Sequence, residues 1–388
     1  MDRIITIISE YNPFHLGHFY HLNQSIEKTD AKYKIAIISG NFVQRGEPSI
    51  IDKWAKTKLA LEAGFDMVIE LPTIYAISSA ENFALGGIKI ANFIKTDYLS
   101  FGSENGNIET LEELTNLISQ NEKKYYEIVR GFISKGYSYP KSQEMAINNL
   151  FGKKYASLCT PNNILGFEYI KNIRLLKSKT KLITIKRNTS FKSASEIRDL
   201  ISNKKSCKKY LPKFAISELD KNENIVCSLK AFEKEIFYKL RTMTEKEYQN
   251  IPDIPDNLIN KLRIAASNCN SLDDLFENIK NKSITAARIK RILLYILLEI
   301  NKQDIHISKE TMPYIRILGV KKNSKELLSY ISKKKNVITS VKDFESNCKS
   351  KKLLRMLEID IKASNIYTLA YKKNSKSNLD YTQKLVII

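Results

Sequence analysis

The chain has 388 residues, 43% of them apolar, and a formal charge of +21. That length favours more than one domain and that apolar fraction supports a sizeable core, while no apolar run approaches the roughly 18 residues of a membrane span. Five cysteines (Cys159, Cys207, Cys227, Cys269, Cys348), odd in number and with no Cys-x-x-Cys pair, argue against a disulfide framework or a zinc knuckle. The strand-like start with Asp2 and Arg3 lacks the pattern of a secretory signal, so a cytoplasmic protein is expected. Residues 1–200 hold 26 Lys and Arg against 21 Asp and Glu, whereas residues 201–388 hold 37 against 21. A bias toward Lys codons would spread the excess evenly. A lopsided excess points to a second half that meets a polyanion, RNA or DNA above all.

Ile4 to Ile8 reads as a buried first strand. It leads into Tyr11-Asn12-Pro13-Phe14-His15-Leu16-Gly17-His18, a tight turn and then a helix. Free N–H groups and the positive end of the helix dipole make such a turn a phosphate site. Gly17 is expected to let a phosphate approach the backbone, and His15 and His18 to donate to the same anion. His21 continues their helix face. A solvated helix face or a metal site are the rival readings, and the metal site lacks a carboxylate or cysteine at the right spacing.

Tyr33 to Ser39 reads as the second strand. The segment Ser39 to Pro48 (SGNFVQRGEP) is a shaped loop that places Asn41, Gln44 and Arg45 where a substrate would lie. On the helix Lys53 to Ala63, Lys53, Lys56 and Lys58 either face phosphates or form a solvated face. Asp66 to Leu71 is a third strand, Ser79 to Phe93 a helix, and Tyr98 to Phe101 a fourth strand running into Gly102-Ser103-Glu104. Gly102 would permit close contact with a base or ribose. Residues 105–150 read as a helical insertion. Asn162 takes a capping position before the helix Asn163 to Leu176. After the fifth strand, Lys181 to Lys186, come Arg187 and then Ser193-Ala194-Ser195-Glu196-Ile197-Arg198, whose hydroxyls, helix N–H groups and guanidinium suit a second anion site.

Beyond residue 205 the strand signal fades. Ala286 to Asn301 and Lys325 to Lys335 are helical by period, and residues 366–388 have room for a strand. Short apolar strands alternating with helices imply an α/β fold in which a parallel sheet is covered on both faces and binds its ligand at the carboxyl ends of the strands. The expected division is residues 1–204, the sheet domain with its insertion, and residues 205–388, mostly helical and basic. Lys204, Lys205, Lys208, Lys209 and Lys290, with Arg288, Arg291 and Lys333 to Lys335, are candidate RNA phosphate contacts, each also readable as solvated surface.

Taken in order, EYNPFHLGH, SGNFVQRGEPSIIDKWAKTKLALEAG, DMVIELP, FGSE, PNNILGFEYI and SASEIR resemble the bacterial tRNA(Met) cytidine acetate ligase family, a branch of the His-x-Gly-His nucleotidyltransferases. The resemblance is strong over about the first 200 residues; beyond them the chain agrees only in being helical and basic. It implies a Rossmann-like nucleotidyltransferase domain. It also implies a two-step reaction: acetate attacks ATP to give acetyl-adenylate and pyrophosphate, and the acetyl group then passes to the wobble cytidine of elongator tRNA(Met), leaving N4-acetylcytidine and AMP. Mg²⁺ is expected with the ATP. The implied ATP contacts are Ile7, Ile8, Ser9, Glu10, Tyr11, Asn12, Pro13, Phe14, His15, Leu16, Gly17, His18, Phe19 and Tyr20, with Gly102, Asn162 and Arg187.

On this basis His15 and His18 are assigned to the α/β-phosphate region and Ser195 and Arg198 to the β/γ end. The connection between Arg187 and Ser193 is shorter than the family pattern. Two alternatives stay open: a small-molecule nucleotidyltransferase, which leaves the basic half unexplained, and a noncatalytic RNA-binding protein on the same fold. Oligomeric state is not encoded in any of these features.

Overall fold

Every side chain from Ile4 to Ile8 is buried, as a strand covered on both faces requires. In the computed structural model, which describes residues 2–388, this strand, β1 (Ile4–Ser9), leads through α1 (Leu16–Glu27) to β2 (Tyr33–Ser39). Then follow α2 (Lys53–Ala63), β3 (Met67–Leu71), α3 (Ala80–Phe93), β4 (Tyr98–Ser103), α4 (Pro161–Leu175), β5 (Lys181–Lys186) and α5 (Ala194–Ser202). The five strands are parallel in the order β3-β2-β1-β4-β5. The chain builds outward from β1 to β3 and returns to the other side of β1 at β4. That reversal opens a crevice at the carboxyl ends of β1 and β4, where such sheets bind ligands. The insertion is three helices, Ile108–Gln120, Glu122–Ser134 and Tyr139–Phe151, packed around their own core of Leu114, Tyr125, Val129, Ala146 and Ile147.

The second half is mostly helical, including α6 (Ala286–Leu298), but it also completes the sheet. β6 (Ile315–Val320) lies antiparallel to β3, pairing Met67 with Val320 and Glu70 with Arg316, and β7 (Val337–Ile338) pairs with it. After α7 (Lys351–Tyr367), the tail strand β8 (Val386–Ile387) pairs with β6 on the sheet's edge. The sequence reading missed β6, because a short apolar run such as IRILGV cannot be told from a buried helical turn by period alone.

The junction between first and last segments is ionic. Lys53 Nζ lies 2.9 Å from Glu70 Oε1 and 2.6 Å from Asp380 Oδ1, and Arg316 reaches the same two carboxylates at 3.2 and 2.5 Å. All four side chains are at most 6% exposed. Asp360 on α7 joins them, accepting from the Thr73 N–H at 2.6 Å and from the Tyr314 hydroxyl. Burial, with Glu70 nearby, pushes its carboxyl up to about 7, beside a junction in which the two cations Lys53 and Arg316 face Glu70 and Asp380. Lys53 is thus neither solvated nor turned to a phosphate. Removing one partner strands buried charge. Asp380→Ala is therefore expected to lower the free energy of unfolding by about 3–5 kcal/mol in urea titrations, a loss well beyond that of a surface ion pair.

Candidate active site

The turn after β1 is closed by two imidazoles. His15 is the N-cap of α1: its Nδ1 accepts from the Gly17 N–H at 3.0 Å, while His18 Nδ1 accepts from the His15 N–H at 3.3 Å. This is a reciprocal capping box with histidines in both roles. Each ring spends its Nδ1 lone pair on a backbone donor, which places the proton of the neutral ring on Nε2. The rings stack with centroids 3.8 Å apart. Burial, with Arg187 and Arg198 beside it, pulls His15 down to about 4, and burial and the neighbouring His15 hold His18 far below its usual range. At neutral pH the pair is uncharged, each ring keeps an Nε2–H donor, and both residues line the cleft.

Gly17 lines the cleft and has a part beyond the one the sequence suggested. A Cβ there would stand 2.8 Å from His15 Cε1. The glycine makes room for the capping ring, and its N–H is already taken. An anion at this helix end therefore meets imidazole donors rather than bare backbone. His21 also lines the cleft; its Nε2 lies 3.0 Å from Ser100 Oγ, and burial holds it down at about 4.

Around the histidines lies a cleft of about 390 Å³ at the carboxyl ends of β1, β4 and β5. Of the expected nucleotide residues, Ile7, Ile8, Ser9, Glu10, His15, Gly17, His18, Tyr20, Gly102, Asn162 and Arg187 line it, as do Ser195 and Arg198. A methyl on Gly102 would make only ordinary contact with Arg187 Cγ at 3.6 Å, so the space above it belongs to the cleft. Arg198 Nη1 donates to the Asn12 carbonyl at 2.7 Å, clamping α5 onto the β1–α1 turn. Ser193, not Ser195, caps α5, in a capping box with Glu196. Ser195, two positions further on, lines the cleft.

The side chains of Tyr11, Asn12, Pro13, Phe14, Leu16 and Phe19 do not line the cleft. Tyr11 and Phe14 are buried against Phe65, and Phe19 packs on Phe214, because the apolar face of the turn must cover the sheet. Asn12 donates to the Pro48 carbonyl at 3.2 Å and accepts from the Ile50 N–H at 2.7 Å, which pins the glycine-proline loop to the turn. Within that loop only Arg45 reaches the cleft. Asn41 accepts from the Lys53 N–H at 2.9 Å, and the Gln44 N–H donates to Glu10 Oε1 at 2.8 Å. Gly46, at φ +76°, meets α6 so closely that a Cβ would stand 2.6 Å from the Arg291 nitrogen.

Asn162 is not a cap either. Thr160 is the N-cap of α4, and Asn162 donates to Glu104 Oε1 at 2.7 Å, with Arg187 at 3.7 Å from the same oxygen. Lys56 is buried: its Nζ donates to the carbonyls of Ser39 (2.6 Å), Gly40 (2.7 Å) and Glu10 (3.1 Å), and burial pulls it down to about 7. Lys58 pairs with Glu218. Lys186, which precedes Arg187 in the sequence motif, lines the β5–α5 side of the cleft, and so do Asn188, Phe191 and Lys192, which the sequence reading did not assign to the site. The alternation of Lys and Arg around the end of β5 was the signal available for them.

Among the basic candidates, Lys208 pairs with Asp220 and Lys290 with Glu47. Lys204, Lys205 and Lys209 are exposed, and Lys209 and Lys192 both lie over the Tyr210 ring, at 5.1 and 5.4 Å. This lysine-aromatic strip runs from the cleft toward the second half.

Known proteins resemble this chain over its whole length. The HIGH Nucleotidyl Transferase family profile matches residues 2–382. The tRNA(Met) cytidine acetate ligase of Caldanaerobacter subterraneus subsp. tengcongensis is 39% identical over 400 residues, covering 98% of each chain. That of Acetivibrio thermocellus is 36% identical over 422 residues, covering 100% of each. The crystal structure of Thermotoga maritima TmcAL bound with alpha-thio ATP superposes with a TM-score of 0.94 at 29% identity, over 100% of this chain and 99% of that one.

Two outcomes follow from the histidine box. Gly17→Ala pushes the His15 ring off its donor and is expected to cost about 1 kcal/mol of stability, as removal of a cap does, together with nucleotide affinity, both measurable by thermal unfolding with and without ATP. The folded imidazoles refuse protons that an unfolded chain accepts below about 6.5. Their contribution is therefore complete above that pH and declines as pH falls toward 4. Urea titrations at stepped pH are expected to show this decline, and His18→Gln to flatten it.

Proposed function

The chain belongs to the HIGH nucleotidyl transferase family and, within it, to the tRNA(Met) cytidine acetate ligases, and we propose that it activates acetate with ATP and passes the acetyl group to the wobble cytidine of elongator tRNA(Met). The pair of neutral histidines at the switch-point crevice carries this reading. Attack of acetate on the α-phosphate drives negative charge onto the phosphates and the leaving pyrophosphate. Such a transition state needs fixed donors aimed at oxygen. The Nε2–H groups of His15 and His18 serve the α/β-phosphate region. Ser195 and Arg198, already clamped to the turn, serve the β/γ end, and Arg187, Lys186 and Lys192 add positive charge from the β5 side. Gly102 leaves room for the nucleoside.

Mg²⁺ accompanies ATP in this reading. No cluster of three or more metal-ligating side chains occurs among the described residues, which fits an ion held by phosphate oxygens and water. No step is assigned to it. The RNA approaches along Lys192, Tyr210 and Lys209, where two lysines flank an aromatic ring, and the exposed Lys204 and Lys205 add charge from the end of the preceding helix. No helix is long and apolar enough to cross a membrane, and the cytoplasm, where tRNA resides, is the compartment proposed.

Incubation with ATP, labelled acetate and bulk tRNA, followed by digestion to nucleosides, is expected to place label in N4-acetylcytidine. Acetate-dependent ATP–pyrophosphate exchange is expected without tRNA and to fall about 100-fold or more in His18→Ala. Absence of acetate dependence would reject the ligase. Replacing Lys204, Lys205 and Lys209 by Gln is expected to weaken tRNA binding and to reduce its salt slope by about 0.7–0.9 for each phosphate that the variant no longer neutralises.

A further inference from the structure

The second chemical step raises a need that the phosphate-binding groups do not meet. When the exocyclic amine of cytidine attacks the carbonyl carbon of acetyl-adenylate, an N–C bond forms and the bond from that carbon to the phosphate oxygen breaks. AMP leaves, and one of the two amine protons must go to an acceptor. The cleft is rich in donors: Arg45, Lys186, Arg187, Lys192 and Arg198. The histidines cannot take the proton as neutral bases, because both Nδ1 lone pairs accept backbone N–H groups. Glu10 supplies the one carboxylate in the cleft lining.

We propose that Glu10 is the proton acceptor of acetyl transfer, an assignment that rests on the ligase reading of this cleft. The residue is built for a fixed orientation. Glu10 opens the turn directly after β1, and its Oε1 accepts from the Gln44 N–H at 2.8 Å. Its backbone carbonyl accepts from Lys56 Nζ. Oε2 has no hydrogen-bond donor among the described residues, which leaves it for the amine. Lys56 and Arg198 lie within charge reach of this carboxylate and offset its repulsion of a triphosphate, so it is tolerated in the cleft and available where a proton must leave. The amine N–H hydrogen-bonds to Oε2, the proton transfers as the N–C bond forms, and the carboxyl returns it to water after AMP departs.

Glu10→Gln tests the role, because the amide oxygen still accepts from the Gln44 N–H and so keeps the anchor. Two rates are measured on the same preparation: acetate-dependent ATP–pyrophosphate exchange, and transfer of labelled acetyl from isolated acetyl-adenylate to tRNA. Transfer is expected to fall about 100-fold or more relative to wild type, the usual share of a general base, and at least tenfold more than exchange. Glu10→Asp, which keeps a carboxylate on a shorter arm, is expected to recover part of the transfer rate. Equal losses in both rates would assign Glu10 to ATP or its metal ion and overturn the proposal. So would transfer that is unaffected, or an Asp variant no better than Gln. If wild-type protein itself showed no acetate-dependent exchange, the ligase reading would fail first, and the role of Glu10 with it.

Discussion

Lys53 is the tie on which the rest of the molecule depends. Its ammonium binds a carboxylate from β3 and another from the last turns of the chain, while Arg316 on β6 closes the ring from the other side. Buried ions of this kind are costly to desolvate, and they hold only with full partners. The return is position. The Lys53 N–H is bound by Asn41, the Gly40 backbone lies against Glu70, and Lys56 one turn on gathers the carbonyls at the ends of β1 and β2. The floor of the cleft is thereby mounted on a junction that needs the C-terminal segment to exist. The N-terminal half is consequently not an independent module in energetic terms, even though its five parallel strands pair with one another without β6.

Above that floor, the histidines solve an electrostatic problem. Two imidazolium ions in stacked contact would repel each other by about 4 kcal/mol at an effective dielectric constant near 20. Burial keeps both neutral, and the capping box sets their tautomer. The helix end is therefore extended outward by about one ring: backbone N–H groups donate inward to Nδ1, and Nε2–H groups face the cleft. Such donors need little reorganisation when charge develops on a phosphate. The net positive charge comes instead from guanidinium and ammonium groups on the β5–α5 side. Neutral donors on one wall and cations on the other let one small cleft present both to an anion without stacking like charges.

What was legible in the chain and what was not divides by range. The first five strands could be read because fully buried parallel strands are short apolar runs, and the β1–α1 turn could be read because a cap, a glycine and two imidazoles sit within four positions. Gly17 was legible as a required glycine, but only the folded ring of His15 shows a second reason for it, the ring that fills the space beside it. Lys53 and Lys56 looked like surface or phosphate-binding residues because the groups that hold them are far away in sequence, with Asp380 at the opposite end of the chain. Lys290, chosen for its basic neighbourhood, proved to be committed to Glu47.

The sequence by itself determined the family, the strand-turn-helix at His15 and His18, and the excess of positive charge beyond residue 200. These are local or summed properties, readable from spacing, residue type and counts. Tertiary structure alone decided which polar groups remain available. It turned Asn12, Asn41, Lys53 and Lys56 into internal fasteners, brought Lys186 and Lys192 to the cleft, and left Glu10 as its single acid. Hydrogen-bond capacity is finite, and a donor or acceptor satisfied by a distant segment cannot serve a substrate; only the folded chain shows which ones are already taken.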